Sequence, residues 1–292
     1  MGLSNIEDDY SLVQGIVLDY LAITREEIDR NHEQGYYPLP DSRGKMEITV
    51  TSSAPELIVA YEIGNLLLDV ASDHVYAFAR AISNHPLESS HPLVFSPMTI
   101  VRNVLEACSL SSWFFDPNIE PEDRCNRSYA LYFKGMVEEI KLARSLGEIS
   151  TLKILEKEKD IFVDKARNKG YKIFYDDKKR PTGIGEIYPG PTALVRDQLK
   201  LEPAYRLCSA IVHCRYDAIK SIGYSLFQKL PGDEYLVEKT LRPELPNILS
   251  SQSVMALHHS LIRKFDLYGW NTITILEAAS HTFEKIEEVW ER

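Results

Sequence analysis

The chain has 292 residues, of which 44% are hydrophobic and 26% charged, and its formal net charge is -10. This length supports one large domain or two modest ones, and this composition excludes a disordered chain. The acidic balance repels phosphate backbones on average, so a nucleic-acid partner requires a local basic cluster.

The termini, the apolar runs and the cysteines indicate a cytoplasmic protein. The first residues lack the basic region and apolar run of a signal peptide, and no apolar stretch reaches the roughly 18 residues of a membrane span. The four cysteines, Cys108, Cys125, Cys208 and Cys214, include no Cys-x-x-Cys pair. We therefore expect reduced, mostly buried thiols and no membrane association.

Apolar residues at helical spacing, with proline and glycine at the boundaries, predict helices along most of the chain. In chain order these helices cover 8–34, 53–83, 96–115, 121–146, 150–168, 191–199, 203–216 and two segments within 247–292. The segment 84–95, with two His-Pro dipeptides, is predicted to be a loop.

Two short segments show the alternation of a strand. Met46, Ile48 and Val50 alternate within 45–51, and Tyr171, Ile173 and Tyr175 alternate in the same way, so the two could form a small ribbon. The glycine-rich segment 176–190 between helices is predicted to be an exposed loop. The sequence therefore predicts an all-α multi-helix bundle with at most one two-stranded ribbon. We expect a single domain over 1–292, with a helical hairpin in 247–292 as a candidate subdomain.

Arg206 and His213 lie seven residues apart in one predicted helix. This spacing gives about 700° of rotation and roughly 10 Å of rise, so the two side chains share a face. An arginine fork can bind phosphate oxygens and a histidine can transfer protons near neutral pH. This pair could cleave RNA without metal, with the 2′-hydroxyl of the RNA as nucleophile. The alternative is structural: Arg206 pairs with a buried acid such as Glu106, and His213 binds a backbone carbonyl.

The Arg206-x6-His213 spacing resembles the Arg-x(4 to 6)-His motif of the HEPN superfamily of helical ribonucleases and nucleotide-binding proteins. Three segments between 96 and 218 also look like a poorly characterised group of bacterial all-helical proteins. They are Arg102-x3-Glu106, Arg124-x2-Arg127 and Tyr205-x3-Ser209-x3-His213. The resemblance implies a homodimer and, as biological setting, toxin activity or antiphage defence. Enzymatic members carry a polar residue directly after the arginine, where this chain has Leu207.

Packing the three segments together would gather several charged groups beside His213. Arg102 and Glu106 share one helical stripe, and Arg124 and Arg127 share another. In a ribonuclease, His213 would be the general acid or base and Arg206 would stabilise the phosphate. The residues expected to bind the substrate are Arg102, Glu106, Arg124, Arg127 and Ser209. The alternative for the same residues is a buried ion-pair network.

Other kinds of site have weaker support. Cys208, His213 and Cys214 diverge around a helix and have no second ligand pair, so we expect no metal. No phosphate-binding loop, nucleophile elbow or dinucleotide motif is present, so we expect no cofactor. A small-molecule site enclosed by aromatic residues is a further alternative, although such residues usually form core. Its residues would be Trp113, Phe114, Tyr129 and Tyr132.

Two functional hypotheses follow. The first is a HEPN-like, metal-independent endoribonuclease or RNA-binding protein. The second is a non-catalytic helical protein that binds a partner protein, such as an antitoxin, immunity protein or regulatory subunit. The acidic net charge and Leu207 favour the second.

Overall fold

A computed structural model describes residues 3–33, 38–51, 54–83, 95–229, 235–239 and 244–291. Helices make up most of it and confirm the predicted all-α class. The longer helices are α1 (Leu3–Glu33), α3 (Ala54–Ser83), α4 (Ser96–Phe114), α5 (Pro121–Ser145), α6 (Ile149–Asn168), α8 (Glu202–Val212), α10 (Glu244–Tyr268) and α11 (Ile273–Trp290). The short ones are α2 (Arg43–Val50), α7 (Pro191–Leu194) and α9 (Tyr216–Gly223). Except for Phe95, the loop predicted over 84–95 lies outside the described residues.

Local signals place several helix ends correctly. Pro97 and Pro121 stand in the first turns of α4 and α5, where a proline needs no backbone N–H. The helix predicted over 203–216 is interrupted instead, because Cys214 adopts a left-handed φ of 52° and separates α8 from α9. Between α7 and α8 the chain forms a π-helical turn, Val195–Leu199.

The β structure differs from the prediction in its pairing. Strand β1 (Ile173–Tyr175) pairs antiparallel with β2 (Pro181–Ile184), which lies in the segment predicted to be a loop. Asp176 holds the turn between them, because its Oδ1 accepts from the backbone N–H groups of Lys178 and Arg180. A second antiparallel hairpin, β3 (Tyr224–Lys229) with β4 (Tyr235–Lys239), was not predicted.

The strand predicted over 45–51 is wrong, because this segment forms the helix α2. The side-chain oxygen of Ser42 accepts from the backbone N–H of Lys45 and caps the helix. Met46 and Val50, which suggested a strand, are 54% and 78% exposed, so the alternation does not mark a buried face. The buried side chain of α2 is the charged Glu47.

Helix α4 lies at the centre of the bundle. It packs against α3, α8 and α10, and its Val101, Val104 and Leu105 are fully buried. Helices α10 and α11 add their apolar side chains to the same core as α1, α3 and α4.

All four cysteines are free, and three are buried as predicted, whereas Cys214 is exposed. None of the described helices has the length and apolar character needed to cross a membrane.

Candidate functional site

The exposed face of α8 carries both predicted catalytic residues. The Arg206 side chain is 68% exposed and lies 2.6 Å from the carboxylate of Glu202, one turn earlier. His213 is exposed and ends the helix, where its backbone N–H donates to the carbonyl of Ser209 at 3.0 Å. Residues three, four and seven positions apart lie on the same side of a helix. A guanidinium, a half-buried hydroxyl and an imidazole therefore follow one stripe, Arg206–Ser209–His213, which we call the α8 stripe.

Beside the α8 stripe, α8 contacts α4 through three polar side chains. Glu106 and Arg102, one turn apart on α4, are joined by a 2.9 Å contact between Oε1 and the guanidinium. The Tyr205 hydroxyl of α8 donates to the same Oε1 at 2.8 Å. Tyr205 is buried, whereas the side chains of Arg102 and Glu106 remain 21% and 27% exposed. The network therefore connects a buried phenol with two charged groups that solvent still reaches.

Two members of this network, Tyr205 and Arg102, have shifted pKa values. Burial raises the pKa of the Tyr205 phenol, so it stays a neutral hydrogen-bond donor. Burial alone would lower the pKa of the Arg102 guanidinium, but contacts with Tyr205 and Glu106 outweigh it and raise that pKa. The expected pairing of Arg206 with Glu106 is not formed, because Glu106 binds Arg102 and Arg206 binds Glu202.

Arg124 does not lie beside the α8 stripe, although the sequence analysis predicts that it packs near His213. Its side chain is fully buried and pairs with Glu47 of α2, with 2.9 Å between Nε and Oε2. It also donates to the carbonyl of Phe114, the last residue of α4. Arg102 lies twelve residues earlier on α4, or about 18 Å along the helix axis. Arg124 of α5 therefore lies at the C-terminal end of α4, far from Arg102 in the N-terminal half of that helix, and its buried side chain cannot reach a substrate.

Arg127 lies at the same end of α4 and has a similar role. Its guanidinium donates to the carbonyl of Trp113, and Arg263 of α10 donates to that of Ser112 at 2.8 Å. Together with Arg124, these side chains satisfy three successive carbonyls that a helix C-terminus leaves without intrahelical partners. Cations are also favourable at the negative end of the helix dipole. Arg124 pairs with Glu47, and the Arg127 guanidinium lies 3.9 Å from the carboxylates of Asp116 and Glu186, which agrees with the ion-pair alternative for both arginines.

The sequence analysis did not identify three residues that contact the side chains or the helix end described above. Glu202 precedes Arg206 by four residues, a spacing that predicts an ion pair and could have been noticed. Glu47 was hidden in a segment interpreted as a strand. Arg263 had no local signal, because its contact with Ser112 spans 151 residues.

The four aromatic residues considered for a small-molecule site do not surround one cavity. Trp113 and Phe114 are buried in a core cluster. Tyr129 and Tyr132 instead line a groove of about 300 Å³ with Phe162 of α6. These four aromatic residues therefore do not enclose a common small-molecule site.

Among the described residues, no group of three or more histidine, cysteine or acidic side chains could hold a metal ion. Comparison of the chain with protein-family models, with curated proteins and with solved structures found no match. The HEPN resemblance therefore rests only on the sequence segments quoted above.

Proposed function

We propose that this chain is a HEPN-like RNA-binding protein or metal-independent endoribonuclease that uses the α8 stripe. The observation that carries the proposal is that Arg206 and His213 are exposed and share one face of α8 with the half-buried Ser209. Placement in a toxin or antiphage-defence system belongs to the same proposal and rests on the resemblance alone.

The proposed chemistry assigns one step to each group. His213 accepts the proton of the RNA 2′-hydroxyl, whose oxygen attacks the adjacent phosphorus. The bond from phosphorus to the 5′-oxygen breaks, and that oxygen takes a proton from solvent. Arg206 binds the phosphate oxygens on which charge increases in the transition state. The products are a 2′,3′-cyclic phosphate and a 5′-hydroxyl end.

We propose a smaller set of supporting residues for this site than the sequence alone predicts. Arg102 and Glu106 fix the Tyr205 side chain, so we propose that they are positioning residues for α8 rather than direct substrate ligands. Ser209 remains a candidate to bind a phosphate or ribose oxygen. Arg124 and Arg127 leave the substrate-binding set, because both are committed to the end of α4.

The ion pair of Arg206 with Glu202 does not exclude a phosphate ligand. An exposed pair of this kind contributes only about 0–1 kcal/mol to stability. A phosphate that accepts two hydrogen bonds from the Arg206 guanidinium can therefore compete with Glu202 for that guanidinium. The stripe lies on an open surface, and a second copy of the chain would enclose it. The homodimer that the resemblance implies is therefore part of the proposal.

The test is cleavage of end-labelled single-stranded RNA and tRNA in excess EDTA. We expect wild type to leave cyclic-phosphate ends, and Arg206→Ala and His213→Ala each to lower the rate by about 100-fold or more. Arg25→Ala is the matched control for arginine, because Arg25 is 69% exposed and pairs with Asp29 four residues away. His281→Ala is the control for an exposed helical histidine. Equal activity of His213→Ala and wild type would remove the assignment.

A partner-binding protein is the second candidate, and one observation favours it. Leu207 on α8 and Tyr216 at the start of α9 are 37% and 77% exposed, and exposed apolar and aromatic side chains suit a protein contact better than a phosphate site. Absence of cleavage and of RNA binding, in a folded wild-type protein, would favour this candidate.

A further inference from the structure

A cavity of about 250 Å³ lies between α2, α3 and the end of α10. Its walls include the rings of Tyr61 and Tyr268, the polar side chains of Glu62 and Asn65, and apolar proline and isoleucine side chains. The cavity shares no lining residue with the α8 stripe. Its volume is below the roughly 300–1,000 Å³ of sites for drug-sized ligands, so its ligand must be small.

The aromatic walls are held in fixed positions. The two rings meet edge to face, with centroids 5.8 Å apart and an interplanar angle of 71°. The Tyr61 hydroxyl donates to Oε2 of Glu47 at 2.7 Å, and the same carboxylate pairs with the buried Arg124. The Tyr268 hydroxyl accepts from Nδ2 of Asn65 at 3.1 Å. A ligand would therefore meet a preorganised wall, which lowers the entropic cost of binding.

Two acceptors at the cavity have no protein donor among the described residues. Glu62 is exposed and forms no ion pair with another described side chain. Oδ1 of Asn65 is buried and accepts no hydrogen bond from the described residues. The Arg124 charge nearby is already neutralised by Glu47. Among the described residues, the cavity therefore offers one carboxylate and one amide oxygen, and none of its lining side chains is a cation. Two cations lie behind its aromatic walls: Arg124 Cζ is 6.0 Å from the ring centre of Tyr61, and Lys264 Nζ is 5.7 Å from that of Tyr268.

We propose that this cavity binds a small organic cation, a protonated primary amine with a flat apolar body. An ammonium group carries the positive charge that Glu62 favours and the N–H donors that the Asn65 oxygen can accept. An anion would be repelled by Glu62, and a neutral apolar molecule would leave the Asn65 oxygen unpaired.

Benzylamine and benzyl alcohol are suitable probes, because they have nearly the same shape and differ in charge at pH 7. We expect calorimetric titration of wild type to show benzylamine binding about tenfold or more tightly than benzyl alcohol. Glu62→Gln should bring the two affinities to within about threefold, because it removes the charge and keeps the shape. Glu287→Gln on α11 is the control, an exposed helical glutamate outside the cavity wall that should leave the difference unchanged.

Three outcomes would overturn the proposal: equal affinities of the two probes for wild type, a difference that persists in Glu62→Gln, or no binding of benzylamine up to about 10 mM. A shift in the NMR signals of the Tyr61 and Tyr268 rings, saturating with the calorimetric affinity, would place the amine in this cavity. Shifts confined to other aromatic residues would also overturn it.

Discussion

Two buried cations among the described residues differ in their surroundings, and Arg124 is the one that forms an ion pair. It pairs with Glu47 and donates to the Phe114 carbonyl, and its side chain is fully buried. We expect Arg124→Leu to lower the free energy of unfolding by about 3–5 kcal/mol, because it leaves the Glu47 carboxylate buried without its partner. Urea denaturation followed by circular dichroism measures this change.

The double variant Arg124→Leu/Glu47→Leu separates the loss of the pair from the loss of a single partner. It should be more stable than Arg124→Leu alone, because no unpaired charge remains in the core. If Arg124→Leu instead kept wild-type stability and lost only RNA binding, its assignment to the end of α4 would be wrong.

Lys264 is the second buried cation, and it lies among aromatic rings. Its Nζ is 4.8 Å from the ring centre of Trp270 and 5.7 Å from that of Tyr268. Burial lowers the pKa of this lysine to about 8, which a weaker attraction from Asp69 only partly offsets. A folded-state pKa below the unfolded value means that the unfolded chain binds more protons between about pH 8 and 10.5, so this lysine's contribution to stability rises with pH there.

The comparison of wild type with Lys264→Met tests this dependence. We expect the stability advantage of Lys264→Met to be greatest at pH 7 and to shrink by about 3 kcal/mol towards pH 10.5. Tyrosine and cysteine titrations occur in both proteins and cancel in the difference. Urea denaturation at pH 7, 8, 9 and 10 measures it. A difference that is constant with pH would show that Lys264 keeps an ordinary pKa in the folded protein.

At the level of elements, the sequence predicts what local residues determine. The prolines that open α4 and α5 and the apolar stripes of the long helices act within a few residues, and these helices were predicted correctly. Helix α2 was mistaken for a strand because its buried face is formed by Glu47. That carboxylate is stabilised by Arg124, 77 residues away, and no local pattern shows such a partner.

In the candidate site, too, the sequence predicts the features that local residues determine and misses those that depend on helix packing. The shared face of Arg206 and His213 follows from the helical period and was predicted. The contact of Tyr205 with Glu106 spans 99 residues and depends on how α8 packs on α4. The expected arginine cluster did not form because a helical stripe does not determine which part of a neighbouring helix it contacts. Arg124 and Arg127 share a stripe on α5, but α5 brings them to the C-terminal end of α4, about 18 Å from Arg102 along the helix axis.

For the whole molecule, the central question is whether α10 and α11 fold apart from the rest. Val254, Leu257 and Phe265 of α10 are fully buried in the core that also contains α4. Polar contacts join the same helices, because the Ser260 hydroxyl donates to the Cys108 carbonyl at 2.8 Å. Removal of α10 would therefore expose one side of the central helix.

We expect a chain ending at residue 243 to lose cooperative unfolding and to bind hydrophobic dyes, because α4 would lose both its apolar neighbours on α10 and the Arg263 donor to its C-terminus. Phe265→Ala in the full chain is a smaller change. We expect it to lower the free energy of unfolding by about 3–5 kcal/mol and to leave unfolding cooperative. Calorimetry and circular dichroism of the three proteins measure both effects. If the shortened chain kept a sharp transition with helical content reduced only by the deleted segment, α10 and α11 would form a subdomain of their own. The contacts of α10 with α4 would then be an interface between two units rather than part of one core.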